Sequence, residues 1–162
     1  MWLIQGLTLT QRRLPLASVE LQQSFPSQVQ VLSSFVDQLM RFILHFRSAD
    51  GCDIDIETAL REALANSVVH GNRENSSKGV YVDCRRYADG EVSITVQDQG
   101  QGFDSNAVPE PTTPERKVSE HGRGIYLVKT LMEEVPFEEG GSVVHMRKKP
   151  NVAPVAPTAA AG

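Results

Sequence analysis

Along this chain apolar and polar residues alternate, then recur every third or fourth position, then alternate again, and each change of period marks an element. From Ser18 to Phe25, Val19, Leu21 and Gln23 share one side, which predicts a first strand stopped by Pro26. Ser27 with Gln30 fits a capping box, opening a helix in which Val31, Leu32, Phe35, Val36, Leu39, Phe42, Ile43 and Phe46 return at helical spacing. The turn RSADGCD ends it. A second helix is predicted from Asp55 to His70. At 100° per residue, Ile56, Leu60, Ala63, Leu64, Ser67 and Val68 fill one arc, and Gly71 is placed to stop it. The polar loop NRENSSKG leads into a hairpin: Val80, Val82 and Cys84 alternate, Asp89-Gly90 turns, and Val92, Ile94 and Val96 return.

From Asp104 to His121 the periodicity vanishes. That stretch carries three prolines and is too long for an ordinary connector, so it reads as either a functional lid or a disordered segment. Gly122-Arg123-Gly124 then opens a third helix with Ile125, Val128, Leu131 and Met132 on one stripe. After Val135-Pro136 come a short strand, a Gly140-Gly141 turn and a last strand, SVVHMRKK. This order predicts an α+β fold, a two-layer α/β sandwich whose mixed sheet is covered by helices on one face. The domain is expected over 18–149, with an N-terminal extension over 1–17, a lid over 104–121 and a disordered Pro/Ala-rich tail over 150–162.

Composition narrows the classes. The 162 residues suffice for one domain with its own core, and 40% hydrophobic with 22% charged residues describes an ordinary globule. A net charge of -4 argues against a direct nucleic-acid partner. No apolar run is long enough to span a membrane, and the N-terminus puts its apolar residues before its arginines, the reverse of a secretory signal. A cytoplasmic protein is expected, with Cys52 and Cys84 as reduced thiols.

Three places could carry chemistry. Asp98 continues the apolar face of Val92, Ile94 and Val96, where a carboxylate loses its hydration unless donors replace the water. Either the strand has reached solvent there and Asp98 caps a turn, or the carboxylate awaits a ligand's N–H donors, for which an adenine amine is suited. Gly100 and Gly102 follow at once and let a backbone approach a flat ring or a phosphate. The second place is Glu62 and Asn66, four residues apart and stacked on the border of the apolar arc. An amide oxygen suits Mg²⁺, and a carboxylate one turn away can accept a proton; a surface pair is the plain alternative. His70, one turn further, is equally a partner for the helix's C-terminal dipole. Third, Gly122 and Gly124 at a helix start offer backbone N–H groups to a phosphate. No Gly-Lys-Ser/Thr of a P-loop occurs, and neither Gly-x-Gly has the third glycine of a dinucleotide fingerprint.

Glu-x-x-x-Asn on a helix, Asp-x-Gly-x-Gly at a strand end, a lid-like stretch and Gly-x-Gly on a further helix together resemble the GHKL superfamily, whose ATP site is the Bergerat fold. The resemblance runs from about Ser18 to Lys149. Within it, Glu62-Ala63-Leu64-Ala65-Asn66 through His70-Gly71, and the stretch GIYLVKTLMEEV, look like the motifs of bacterial anti-sigma factor serine kinases. The likeness implies ATP and Mg²⁺, Asn66 as metal ligand, Glu62 as general base and Asp98 as the adenine-reading carboxylate. Gly100, Gly102, Gly122, Arg123 and Gly124, with His70, would line the nucleotide site. Ser142 matches a place where such proteins often carry a threonine near adenine. The implied partners are a sigma factor and a small STAS-type antagonist, whose serine would be phosphorylated; such proteins often form a homodimer, but no dimer interface can be read in this sequence. One departure stands out: a lid arginine close to the second glycine box is replaced by Glu120 and His121, so Arg116, Lys117 or Arg123 would have to meet the γ-phosphate. Two other readings stay open. One is a non-catalytic ATP-dependent switch. The other is a histidine-kinase catalytic domain, for which His45, in an apolar helix that looks like core, is the early phosphoacceptor candidate.

Overall fold

Strand β1 (Ser18–Pro26) forms one edge of a five-stranded sheet with β2 (Gly79–Tyr87), β3 (Val92–Gln97), β4 (Phe137–Glu138) and β5 (Val143–Lys148), in the order β1-β2-β3-β5-β4. The computed structural model describes residues 18–45, 52–102 and 120–151. The expected extension, most of the expected lid and tail, and Phe46 lie outside the described residues. Helices α1 (Leu32–His45), α2 (Asp53–Ala65) and α3 (Glu120–Leu131) supply the second layer.

The layers meet as the periodicity requires. Val80, Val82, Cys84, Val92, Ile94, Val96 and Met146 are buried on the inner face of the sheet, against Leu39 and Ile43 of α1 and Ile56, Leu60 and Leu64 of α2. Burial drives the Cys84 thiol up to about 12, helped by the charge of Asp83, so this thiol is inert. The alternate residues of the strands make a polar outer face. There Arg85 bridges Glu20 (3.2 Å) and Asp83 (3.1 Å) from neighbouring positions on two strands.

Every strand pair is antiparallel, which corrects the mixed sheet expected from the order of elements. The crossover through α3 does carry the chain to a strand running parallel to β3, but that strand is β4, at the far edge. Its hairpin partner β5 takes the place beside β3, pairing Val92 with Lys148 and Gln97 with Val143. The capping box is a second correction. Ser27 is fully buried and its hydroxyl has no partner among the described residues. Its N–H instead extends the sheet by donating to the Lys78 carbonyl at 3.0 Å, and a 3₁₀ turn at Val29–Val31 precedes α1. His45 is a third. It is exposed as the last residue of α1, off the stripe that buries Leu39 and Ile43.

Helix α2 does not simply run to His70. At Asn66 it passes into one π-helical turn, Asn66–Gly71. The bond from Asn72 N–H to the Ser67 carbonyl (2.8 Å) spans five residues instead of four. The widened turn buries Ser67 and Val68 and brings Gly71 against the end of β3.

Candidate functional site

The end of β3 supplies the centre of the site. Asp98 follows Gln97, keeps the inward direction of Ile94 and Val96, and is 7% exposed. Its N–H donates to the Ser142 carbonyl at 3.0 Å, which continues the β3–β5 ladder by one residue. Oδ1 accepts from the Gly100 N–H at 2.8 Å, and the Ser67 hydroxyl donates to the same carboxylate. Burial pushes the Asp98 carboxyl above the usual 3.8, while those two donors and the charge of Lys78 pull it back. The acid therefore sits in a place where donors are scarce and further N–H groups are favourable partners.

Glycines make room around it. A Cβ on Gly71 would run into the Asp98 carboxylate, and one on Gly100 into the Gly71 carbonyl. Gly102 has φ +73° and backs onto the Gly140 carbonyl, so an L side chain is excluded there twice over. The result is a cleft of about 530 Å³, counting solvent at its mouth. Asn66, Ser67, His70 and Asp98 form its polar side; Ile125 and Val128 of α3 and Val144 of β5 form an apolar wall.

Helix α3 sets the other end. Gly122 and Gly124 are buried, because the helix begins at Glu120, two residues before the first glycine. A Cβ on Gly124 would stand 2.6 Å from Glu62 Oε2 and 3.4 Å from Asn66 Nδ2, so the absent side chain lets α3 lie directly on the Glu62–Asn66 stripe. Glu62, Arg123, Gly124 and Leu127 line a second, shallow depression open to solvent. Asn66 and Gly124, in mutual reach, join it to the cleft. An N-terminal helix turn beside it adds a positive dipole end, the complement of a polyphosphate.

Of the residues singled out in the sequence, Asn66, His70, Asp98 and Gly102 line the cleft, Gly100 and Ser142 bond to Asp98, and Glu62, Arg123 and Gly124 line the neighbouring depression. Gly122 lies buried in the first turn of α3. The Ser142 hydroxyl donates to the Glu139 carbonyl at 3.1 Å. Arg116 and Lys117 lie outside the described residues. Ser67 and Asn72 were not among the candidates, and Gly71 was named only as a helix stop and the end of a motif. Ser67 had left a signal, a lone hydroxyl between Leu64 and Val68 in an otherwise apolar arc.

Residues 24–148 match the histidine kinase-like ATPase domain family. The chain belongs to that family. Among its relatives, the anti-sigma F factor of Clostridium botulinum (strain Eklund 17B / Type B) is 38% identical over 103 residues, covering 60% of this chain and 71% of that protein. The serine-protein kinase RsbW of Staphylococcus epidermidis is 32% identical over 101 residues, 58% of this chain and 64% of the other. The anti-sigma F factor of Heyndrickxia coagulans is 31% identical over 97 residues, 57% and 66%. The chain thus spans about two thirds of the length of these relatives. Histidine kinase-like ATPase domains use ATP, and the cleft suits it. Glycine-lined close approach and a buried acceptor beside an apolar wall fit a planar base with an exocyclic amine. Among the described residues no cluster of three His, Cys, Asp or Glu could hold a metal alone. A hard cation here would take the Asn66 oxygen together with phosphate and water oxygens. No helix among the described residues is long and apolar enough to cross a membrane.

Proposed function

We propose that the cleft binds Mg-ATP with adenine against Asp98, and that the chain is a serine protein kinase acting on a small STAS-type antagonist of an anti-sigma system. With the antagonist absent, it holds a sigma factor. The observation that carries the reading is Asp98: a carboxylate 7% exposed, its carboxyl raised by burial, with its backbone tied to Ser142 and with glycines making room around it. An acceptor in that state gains from a further N–H donor, and the amine of a neutral planar base supplies one while filling the space beside the apolar wall.

From adenine, the length of ATP leads along Asn66 to the N-terminal end of α3. Asn66 would hold Mg²⁺ through its amide oxygen, and a cation there would supply charge neutralisation for the phosphates. Glu62 stands one turn earlier on the same stripe, beside Gly124. It takes the proton of the acceptor serine as that oxygen bonds to the γ-phosphorus, while the bond from phosphorus to the bridging β-oxygen breaks and ADP leaves. Arg123, exposed in the depression with Glu62, would meet γ-phosphate charge in place of a lid arginine.

The test uses the purified chain, γ-labelled ATP and a STAS-type antagonist protein from the same organism. Label is expected on one antagonist serine. Glu62→Ala is expected to retain nucleotide affinity and lose transfer by 100-fold or more, on the order of general-base contributions. Tight nucleotide binding with no label on any protein would replace the kinase by the non-catalytic switch.

A further inference from the structure

Asn72, next to the cleft but not lining it, uses both ends of its side-chain amide. It is 1% exposed. Nδ2 donates to the Gly79 carbonyl at 2.9 Å, and Oδ1 accepts from the Gln99 N–H at 2.9 Å. The ring closes on itself, because the Gly79 N–H donates to Gln99 Oε1 at 2.7 Å. One partner of Asn72 is a carbonyl and can only accept; the other is an N–H and can only donate. An amide satisfies both at once. A carboxylate would set oxygen against the Gly79 carbonyl, and a hydroxyl is too short to span the gap.

This ring joins the end of the π turn, the start of β2 and the exit of β3. Gln99 lies between Asp98 and Gly100, and Asn72 follows Gly71. The two segments that Asn72 ties, 71–72 and 98–100, are therefore the two that hold the carboxylate: Gly71 against its oxygens, Gly100 donating to Oδ1. Either segment released would turn Asp98 away from its bearing on the cleft.

The geometry points to Asn72 as the positioning residue for base recognition: its amide clamps the Gly71 and Gly100 segments about Asp98 and so sets the preference for adenine over other purines. This rests on the adenine reading of Asp98. A merely structural Asn72 would change stability and leave base preference alone, because the phosphate-facing residues Glu62, Asn66 and Gly124 lie beyond the ring.

The experiment measures affinity, by calorimetry on the full chain with Mg²⁺, for non-hydrolysable analogues of ATP and GTP. It compares the unaltered chain with Asn72→Asp, Asn72→Ser and Asp98→Asn, each followed by thermal melting. The loss of one buried hydrogen bond is worth about tenfold in affinity. Asn72→Asp is expected to lose that much for the ATP analogue and little for the GTP analogue, so the adenine preference shrinks by about the same factor. Should Asn72→Asp not fold, Asn72→Ser, which buries no charge, carries the same expectation. A folded Asn72 variant with a lowered melting temperature and full adenine preference overturns the assignment. If Asp98→Asn has then lost the preference, the adenine reading survives alone; if Asp98→Asn keeps it, both readings fall.

Discussion

At the scale of single residues, Asp98 sets function against stability. Its carboxyl is raised above 3.8 chiefly by burial. A raised acid binds more protons folded than unfolded, so the ligand-free fold loses stability as pH rises from 3.8 through the folded value. Ligand N–H donors need the ionised form, so adenine affinity has the opposite slope and weakens on acidification into that window. Asp98→Asn removes the desolvated charge and keeps an oxygen for the Gly100 N–H. It is expected to melt no lower than the parent at pH 7, and somewhat higher, while losing about tenfold or more in affinity for an ATP analogue. Paired melting and calorimetry from pH 4 to 7.5 check both slopes; a variant that melts well below the parent at pH 7 would refute the stored cost. Asp98 was legible in the sequence because it violated a pattern, an acid on the apolar side of a strand. Asn72 was not, since it follows a helix-stopping glycine where Asn is an ordinary choice. Its meaning comes from Gly79 and Gln99, 7 and 27 residues away.

Among elements, the packing of α3 on α2 decides where the reactive groups stand. Gly124 lies inside a helix, where alanine would be favoured by up to about 1 kcal/mol. The space is not closed by backbone, since the nearest obstacle is Oε2 at the far end of the flexible Glu62 side chain, 2.6 Å from the added Cβ. Gly124→Ala is therefore expected to fold at least as stably as the parent while displacing Glu62. Nucleotide affinity falls little and phosphoryl transfer falls tenfold or more, on the scale set by misplaced catalytic groups. Denaturant titration beside a transfer assay separates the two effects; a large stability loss would show that α3 packs more tightly than this contact indicates. The amphipathic cores of α1 and α2 and the alternation of β2 and β3 were readable because burial on one face imposes its period on the sequence. The neighbour relations of β4 and β5 were not, because hairpin and crossover compete for the place beside β3, and β4 has only two residues. The π turn also escaped notice. One extra residue shifts Asn66 to Gly71 without disturbing the apolar positions before it.

Across the whole molecule, the site and the main polar fastening occupy opposite ends of β3. At Gln97 the strand delivers Asp98 to the cleft; at Val92 it begins beside Glu91, 4% exposed, whose carboxylate takes two bonds of about 3.0 Å from Arg147. The same guanidinium reaches Glu134, just past α3, at 2.8 Å. Lys148 next to it binds Asp55 of α2 at 3.0 Å and the last carbonyl of α3, Leu131, at 2.7 Å. Two adjacent cations on β5 thus pin both site-bearing helices at the ends away from the cleft. At 3.3 Å per residue, Glu91 and Asp98 stand roughly 20 Å apart. Sites so far apart without shared partners contribute additively. Glu91→Gln keeps the shape but withdraws the charge opposite a partly buried guanidinium, and is expected to cost about 1–3 kcal/mol of unfolding free energy. Affinity for an ATP analogue should stay within twofold at temperatures where the variant is folded. The double variant with Asp98→Asn should then show the sum of the two stability changes and the affinity of Asp98→Asn alone. Measured coupling between them would mean that the sheet transmits strain from its fastening to its binding end, against the division of labour that the separation of charges implies.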